Sequence, residues 1–185
     1  IEISLLCNWL MPFQNDINNI LEIGSGAGNK LAQLCWQLNA SGQGVDPSKT
    51  AVDFANKKYN QKCSYTVATA DDLSFFKNKF DLVHFGFCLY LVSRNKINDV
   101  IKQADQLLKS GKFLSIIDFD PLNSYENEYS HFKGLKSYKE NYYKMFCDLG
   151  NYSVVNKFSY SEKSFCFSKN ENDRISLVLL FKENK

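Results

Sequence analysis

A chain of 185 residues, 44% hydrophobic and 23% charged, has an ordinary globular make-up and the length for one domain with a substantial core. Its net charge of +2 is too small to argue for nucleic acid or an anionic membrane surface as a partner. No apolar run approaches the roughly 20 residues that span a bilayer, and no signal peptide is evident, so neither membrane insertion nor export is expected. Cys7, Cys35, Cys63, Cys88, Cys147 and Cys166 form no C-x-x-C pair and no cluster with His84 or His131. That spacing argues against a metal site and a disulfide framework, and for a reducing cytoplasm. The chain opens at Ile1 instead of Met, which leaves open where the natural N-terminus lies.

Taken in order, residues 1–18 predict a short amphipathic helix with Leu5, Leu6, Trp9 and Leu10 on one face and a break at Pro12. An apolar strand, Ile20-Leu21-Glu22-Ile23, then runs into Gly24, Gly26 and Gly28, and a helical pattern follows from Leu31 to Leu38. Alternate glycines after a strand let the backbone turn with positive φ and lie directly against a ligand. The dinucleotide fingerprint G-x-G-x-x-G needs glycine at position 29, where this chain has Asn29. The spacing here, E-x-G-x-G-x-G from Glu22 to Gly28, resembles the first motif of class I S-adenosylmethionine (SAM) dependent methyltransferases. That resemblance implies SAM as cofactor and S-adenosylhomocysteine as product, with the turn around the methionine half and Glu22 near its ammonium. It also implies that the leading helix covers the cofactor, although plain packing on the sheet accounts for that helix equally well.

A second strand, Gln43 to Pro47, ends in Asp46, 18 residues beyond Gly28. Open α/β folds place there a carboxylate that accepts hydrogen bonds from two ribose hydroxyls. Ser48 is the expected N-cap of a helix from Lys49 to Tyr59. The third strand, Ser64 to Ala68, leads into Thr69-Ala70-Asp71-Asp72-Leu73-Ser74-Phe75, a partial match to the family's adenine-edge motif. The resemblance makes Ala70 and Asp71 adenine contacts, with Asp72 the competing acid. The fourth strand, Phe80 to Phe85, shares the family's aromatic-Asp-Leu-Val opening and passes into Gly86 and Phe87. By resemblance the implied cofactor set is Glu22, Gly24, Ser25, Gly26, Gly28, Asp46, Pro47, Ala70, Asp71, Phe85 and Gly86. Aromatic rings suit a sulfonium, because a cation is attracted to the ring face.

A helix from Asn95 to Leu108 carries the stripe Ile97, Val100, Ile101, Ala104, Leu107 and Leu108, and a fifth strand runs from Lys112 to Asp120. The segment 121–150 is rich in tyrosine and lysine and is where members of the family build a substrate cover. Within it, a helix with an apolar face from Tyr138 to Leu149 is the plainer expectation. Two last strands, 152–158 and 175–181, are joined through a turn at 170–173. The resemblance thus covers nearly the whole chain. It implies a single α/β domain with a Rossmann-like, mostly parallel sheet of seven strands in the order 3-2-1-4-5-7-6, strand 7 antiparallel, with helices on both faces.

If the acceptor is a hydroxyl, a base must take its proton, and histidine is the side chain whose ordinary pKa lies nearest neutrality. His84 falls inside an apolar strand, whereas His131 lies in the tyrosine-rich insertion, which makes His131 the proposed base. Asp118 and Asp120, ending the fifth strand, are the alternatives. Phe87, Tyr90, Asp120, Tyr129 and Tyr138 are the expected substrate contacts. The chain is similar to small bacterial methyltransferases of surface polysaccharide biosynthesis, which implies a small-molecule acceptor, a sugar hydroxyl. Open alternatives are an N-methyltransferase, a dinucleotide oxidoreductase and a SAM-binding protein without catalysis. Oligomeric state is not legible.

Overall fold

The computed structural model describes residues 1–129 and 134–184. Helix α1 (Glu2–Leu10) and a 3-10 turn (Met11–Asp16) precede β1 (Asn19–Ile23), α2 (Asn29–Gln37), β2 (Ser41–Asp46), α3 (Lys49–Lys58) and β3 (Cys63–Val67). Then come β4 (Phe80–Gly86), α4 (Ile97–Leu107), β5 (Leu108–Phe119), β6 (Tyr125–Glu128), β7 (Lys136–Lys139), α5 (Tyr142–Cys147), β8 (Tyr152–Ser161) and β9 (Arg174–Lys182). The main sheet has seven strands in the order β3-β2-β1-β4-β5-β9-β8, and β6 pairs with β7 as a separate ribbon. Only β9 runs against its neighbours in the main sheet, pairing antiparallel with both β5 and β8. With the ribbon set aside, this is the strand order expected from sequence.

Strand alternation divides the core into two layers. Ile20, Leu82, Phe113 and Ile117 pack with α1, α2 and α3, whereas Leu21, Ile23, Val83, Phe85, Leu114 and Ile116 pack with α4 and α5. A strand covered on both faces is buried at every position, as β4 is over its whole length, with Asp81 and His84 as its two polar members. The α4 stripe is buried as expected. So is the Ser48 cap, whose hydroxyl accepts from the Ala51 N–H at 3.3 Å.

Three local expectations are corrected. The inward stripe of α1 is Ile3, Leu6, Cys7 and Leu10, with Leu5 and Trp9 only partly buried beside it. The spacing i, i+3, i+4, i+7 starts two residues before Leu5, at Ile3. Strand β5 begins at Leu108, paired with Phe80, and not at Lys112. In the segment after β5, Tyr138 lies in a strand of the ribbon and the helix is confined to Tyr142–Cys147.

Asp81 fastens the N-terminal side of the sheet. It is 2% exposed and accepts from the Asn18 and Asn19 N–H groups at 3.0 and 3.1 Å and from Lys109 at 2.8 Å. Burial works against its charge, but Lys109 and the two N–H groups outweigh it and hold the pKa below the usual carboxylate value. A depressed carboxylate contributes stability that is complete above about pH 4, the ordinary unfolded value, and is lost as pH falls through the folded value. Asp81→Ala is expected to lower unfolding free energy by about 2 kcal/mol or more at pH 7, measured by urea denaturation, with the deficit shrinking in acid.

Candidate functional site

The carboxyl ends of β1, β2, β3 and β4 enclose a cavity of about 790 Å³. Its wall includes Gly24, Ser25 and Gly26 from the glycine turn, Asp46 and Pro47 after β2, Ala70 and Asp71 after β3, and Gly86 and Phe87 after β4. A parallel α/β sheet binds ligands at this edge, where neighbouring loops diverge.

The glycine turn owes its shape to Gly24, Gly26 and Gly28, with φ of 77°, 50° and 84°. A Cβ on Gly24 would also lie 2.4 Å from Cys88 Cβ, so the strand end and the loop after β4 meet there at backbone distance. Asp46 braces the same turn, accepting from Gly26 N–H at 2.8 Å and from Ser48 N–H at 2.9 Å. Each oxygen keeps the capacity to accept one more hydrogen bond, and Asp46 lines the cavity. Asp71 forms an ion pair with Lys96 at 3.3 Å, and a Thr69 hydrogen bond followed by Lys96 holds its pKa low.

Glu22 does not line the cavity but lies directly behind its wall. It is fully buried, and a Cβ on Gly86 would fall 2.5 Å from its Oε1. Its Oε2 accepts from the Leu31 N–H at 3.0 Å, capping the first turn of α2. Gly28, the N-cap residue, has no side chain for that task. His84 pairs in register with Glu22 on one side and Ser115 on the other. His84 Nδ1 lies 2.8 Å from Ser115 Oγ, and its Nε2 is 3.9 Å from Glu22 Oε1, with both of the latter atoms lacking a hydrogen-bond partner among the described residues. Burial pushes Glu22 up to about 8, and burial followed by Lys30 pushes His84 down to about 3, so both are neutral at pH 7.

A second cavity, of about 350 Å³, adjoins the first at Phe87, which lines both. Its wall adds Tyr90, Phe119, Tyr129 and Lys139. Phe87 has φ of 73°, a left-handed conformation uncommon for a bulky residue. Its ring packs 5.0 Å from both Tyr90 and Phe119.

Several expected site residues lie elsewhere. Phe85 points into the opposite core layer, 5.9 Å from Phe146, because alternation leaves only residues past the strand end to face the cavity. Gly28 serves the start of α2 and receives the Tyr65 hydroxyl on its carbonyl at 3.0 Å. Asp120 is buried and held by Lys157 at 2.7 Å and Ser159 at 2.6 Å. Tyr138 lies under the Arg94 guanidinium at 4.3 Å. Asp118 is 2% exposed, lines neither cavity, and accepts from the Tyr90 and Phe119 N–H groups. Burial raises it to about 7. His131 lies outside the described residues. Among the described residues no group of three or more His, Cys, Asp or Glu is placed to hold a metal, and no helix is long and apolar enough to cross a membrane.

Sequence reading missed Lys30, Lys96, Phe119 and the particular placement of Lys139. Lys30 lines the larger cavity and donates to Gly86 carbonyl at 3.0 Å. Phe119 was findable, since it stands between two singled-out acids at the end of β5.

The sheet, with its one antiparallel strand and a glycine-walled cavity at its carboxyl edge, has the Rossmann-like fold of solved methyltransferases. Residues 20–111 match the family model described as a methyltransferase domain. Over 119 residues the chain is 30% identical to a ubiquinone/menaquinone biosynthesis C-methyltransferase, UbiE, of Rickettsia typhi, covering 58% of this chain and 47% of that protein. The Rickettsia felis counterpart is 28% identical over 162 residues, covering 80% of this chain and 58% of its own. The chain thus spans about half the length of the curated relatives it matches. Among solved structures, the N-methyltransferase NodS of Bradyrhizobium japonicum bound to S-adenosylhomocysteine aligns with TM-score 0.70 at 16% identity, covering 98% of this chain and 87% of that one. The 1,6-didemethyltoxoflavin-N1-methyltransferase of Burkholderia thailandensis aligns with TM-score 0.74 at 11% identity, covering 99% and 79%.

The buried acid behind the wall has a pH signature. A carboxyl raised from 4.5 to about 8 binds its proton more tightly when folded, so its contribution to stability falls as pH climbs between those values. His84, lowered from 6.5, contributes a change of opposite sign only below 6.5. Glu22→Gln is therefore expected to gain thermal midpoint relative to the wild type as pH rises from 6.5 to 8, followed by calorimetry.

Proposed function

We propose that this chain transfers the methyl group of SAM to a small molecule, with SAM in the larger cavity and the acceptor in the smaller one. The observation that carries this reading is the junction at Phe87, which lines both cavities, so that ligands in the two would meet there. The matched methyltransferase domain and the S-adenosylhomocysteine bound by NodS support the choice of cofactor. In this reading Asp46 takes the ribose hydroxyls, while Ala70 and Asp71 address the adenine edge. Gly24 to Gly26 carry the methionine moiety, and Glu22, behind the thin wall at Gly86, braces that turn by capping α2.

Methyl transfer is an in-line displacement at a carbon already activated by the sulfonium. With SAM bound, the acceptor's electron pair would form the new bond to carbon, the carbon–sulfur pair would return to an uncharged thioether sulfur, and a proton carried by the acceptor atom would pass to solvent. The chain's own work is to align donor and acceptor and to exclude water. Phe87, Phe119 and Tyr90 supply the apolar wall for this. The named relatives methylate at carbon and nitrogen, so the acceptor atom varies on this fold. A sugar hydroxyl is the second reading, favoured by the rings of the smaller cavity, which can stack on sugar faces. Asp118 is no direct base for it, because it is enclosed by the Tyr90 and Phe119 amides. The proposal places the enzyme in a reducing cytoplasm with its six cysteines as free thiols.

Calorimetric titration tests the cofactor assignment. SAM and S-adenosylhomocysteine are expected to bind the wild type, and Asp46→Ala to weaken both at least tenfold, since it removes the ribose acceptor and the brace on Gly26. Formation of S-adenosylhomocysteine with an acceptor separates the enzyme from a SAM-binding protein without turnover. Absence of binding to the wild type overturns the proposal.

A further inference from the structure

We infer that the acceptor is a flat ring bearing an anionic oxygen, seated among Phe87, Tyr90 and Phe119 with its anion on Lys139. The inference rests on the methyl-transfer reading and names the substrate class of that same site.

The argument begins with the cavity wall. Phe87, Tyr90 and Phe119 form a mutual cluster with centroids 5.0, 5.0 and 5.1 Å apart, the Tyr90–Phe119 pair edge to face, and Tyr129 stands 6.1 Å from Tyr90. Offset and edge-to-face surfaces of this kind accept another ring. Besides the tyrosines and Lys139, the polar side chains on this wall are Asn127, Glu128 and Ser137. The Ser137 hydroxyl is spent on the Asn127 carbonyl at 3.4 Å, and the Tyr90 hydroxyl is engaged with Tyr129.

The second observation is a cation without a carboxylate. Lys139 Nζ stands 4.1 Å over the Phe119 ring and 5.5 Å from that of Tyr125. Neighbouring cations are already matched: Arg94 with Glu140 at 2.9 Å, Lys157 with Asp120 at 2.7 Å, and Lys136 with Glu126. Lys139 has no such partner among the described residues. Burial lowers its pKa, opposed by the field of Asp173, and Glu128 on the same wall is exposed to solvent. A half-buried ammonium with rings below it and no counter-ion gains most from a carboxylate or phenolate that arrives with a ring.

The test uses benzoate and its neutral isostere benzamide as probes, titrated by ligand-observed NMR into wild type, Lys139→Met and Lys139→Arg, each with and without S-adenosylhomocysteine. Thermal unfolding checks that the variants fold. Benzoate is expected to bind the wild type at least tenfold tighter than benzamide, the preference to vanish in Lys139→Met and to survive in part in Lys139→Arg, with S-adenosylhomocysteine affinity unchanged. Equal binding of the two probes by the wild type, or a preference that persists in Lys139→Met, overturns the inference. So does displacement of benzoate by UDP-glucose at lower concentration than by a second aromatic carboxylate. Failure of S-adenosylhomocysteine to bind sinks the methyl-transfer reading instead, and the probe titrations without it report separately.

Discussion

The burial of one carboxyl group, that of Glu22, constrains everything around the larger cavity. It stands on β1, in register with His84 on β4 and, through it, with Ser115 on β5. One oxygen caps α2 at Leu31; the other faces Gly86 with no hydrogen-bond partner among the described residues. A buried polar atom left in that condition costs free energy unless something later compensates it. The compensation available is electrostatic, since Lys30 already bridges to Gly86 carbonyl and a ligand cation on the cavity side would sit in the same field. The glycines follow from this arrangement. Gly86 lacks a Cβ because the Glu22 carboxyl group occupies its place, and Gly24 lacks one because Cys88 does.

The opposite wall is built by a different device. Arg94 donates to Glu140, to the Leu89 and Val92 carbonyls and to the Tyr142 hydroxyl, and stacks on Tyr138. One planar fork thereby joins the loop after β4 to the segment that carries the ribbon and α5. Asp118 works from beneath, its carboxyl oxygens receiving the Tyr90 and Phe119 amides and fixing two rings of the smaller cavity. Its raised pKa belongs to a positioning group sealed from solvent. Perturbed titration marks burial here, and geometry decides that the group does not touch a ligand.

Period and punctuation made the scaffold legible. Apolar runs, glycine after β1, acid after β2 and the α4 stripe identify the parallel half of the sheet, because each is a local rule acting on neighbouring residues. The expected neighbours Gly24, Ser25, Gly26, Asp46, Pro47, Ala70, Asp71 and Gly86 share one cavity wall. What sequence cannot carry is direction. Phe85 and Phe87 are two residues apart and look alike in the chain, yet one faces Phe146 in the core and the other divides two cavities, since the strand ends between them. Asp120 and Tyr138 read as ligand groups because their partners, Lys157 and Arg94, come from positions 37 and 44 residues away along the chain. Pairing at that distance has no local signature.

The left-handed turn at Phe87 joins these two halves of the molecule. Strain of this sort persists only where neighbours over-determine it. Here the neighbours are Gly24, which admits Cys88 at backbone distance, and the Cys88 thiol, which donates to the Ile23 carbonyl at 3.2 Å. The glycine turn of β1 therefore fixes the backbone that aims Phe87, and Phe87 in turn packs on Tyr90 and Phe119. Whatever fills the larger cavity presses on the same turn that orients the wall of the smaller one. The two cavities meet through packed backbone over a few residues, and in the proposed reaction alignment at that junction controls the displacement.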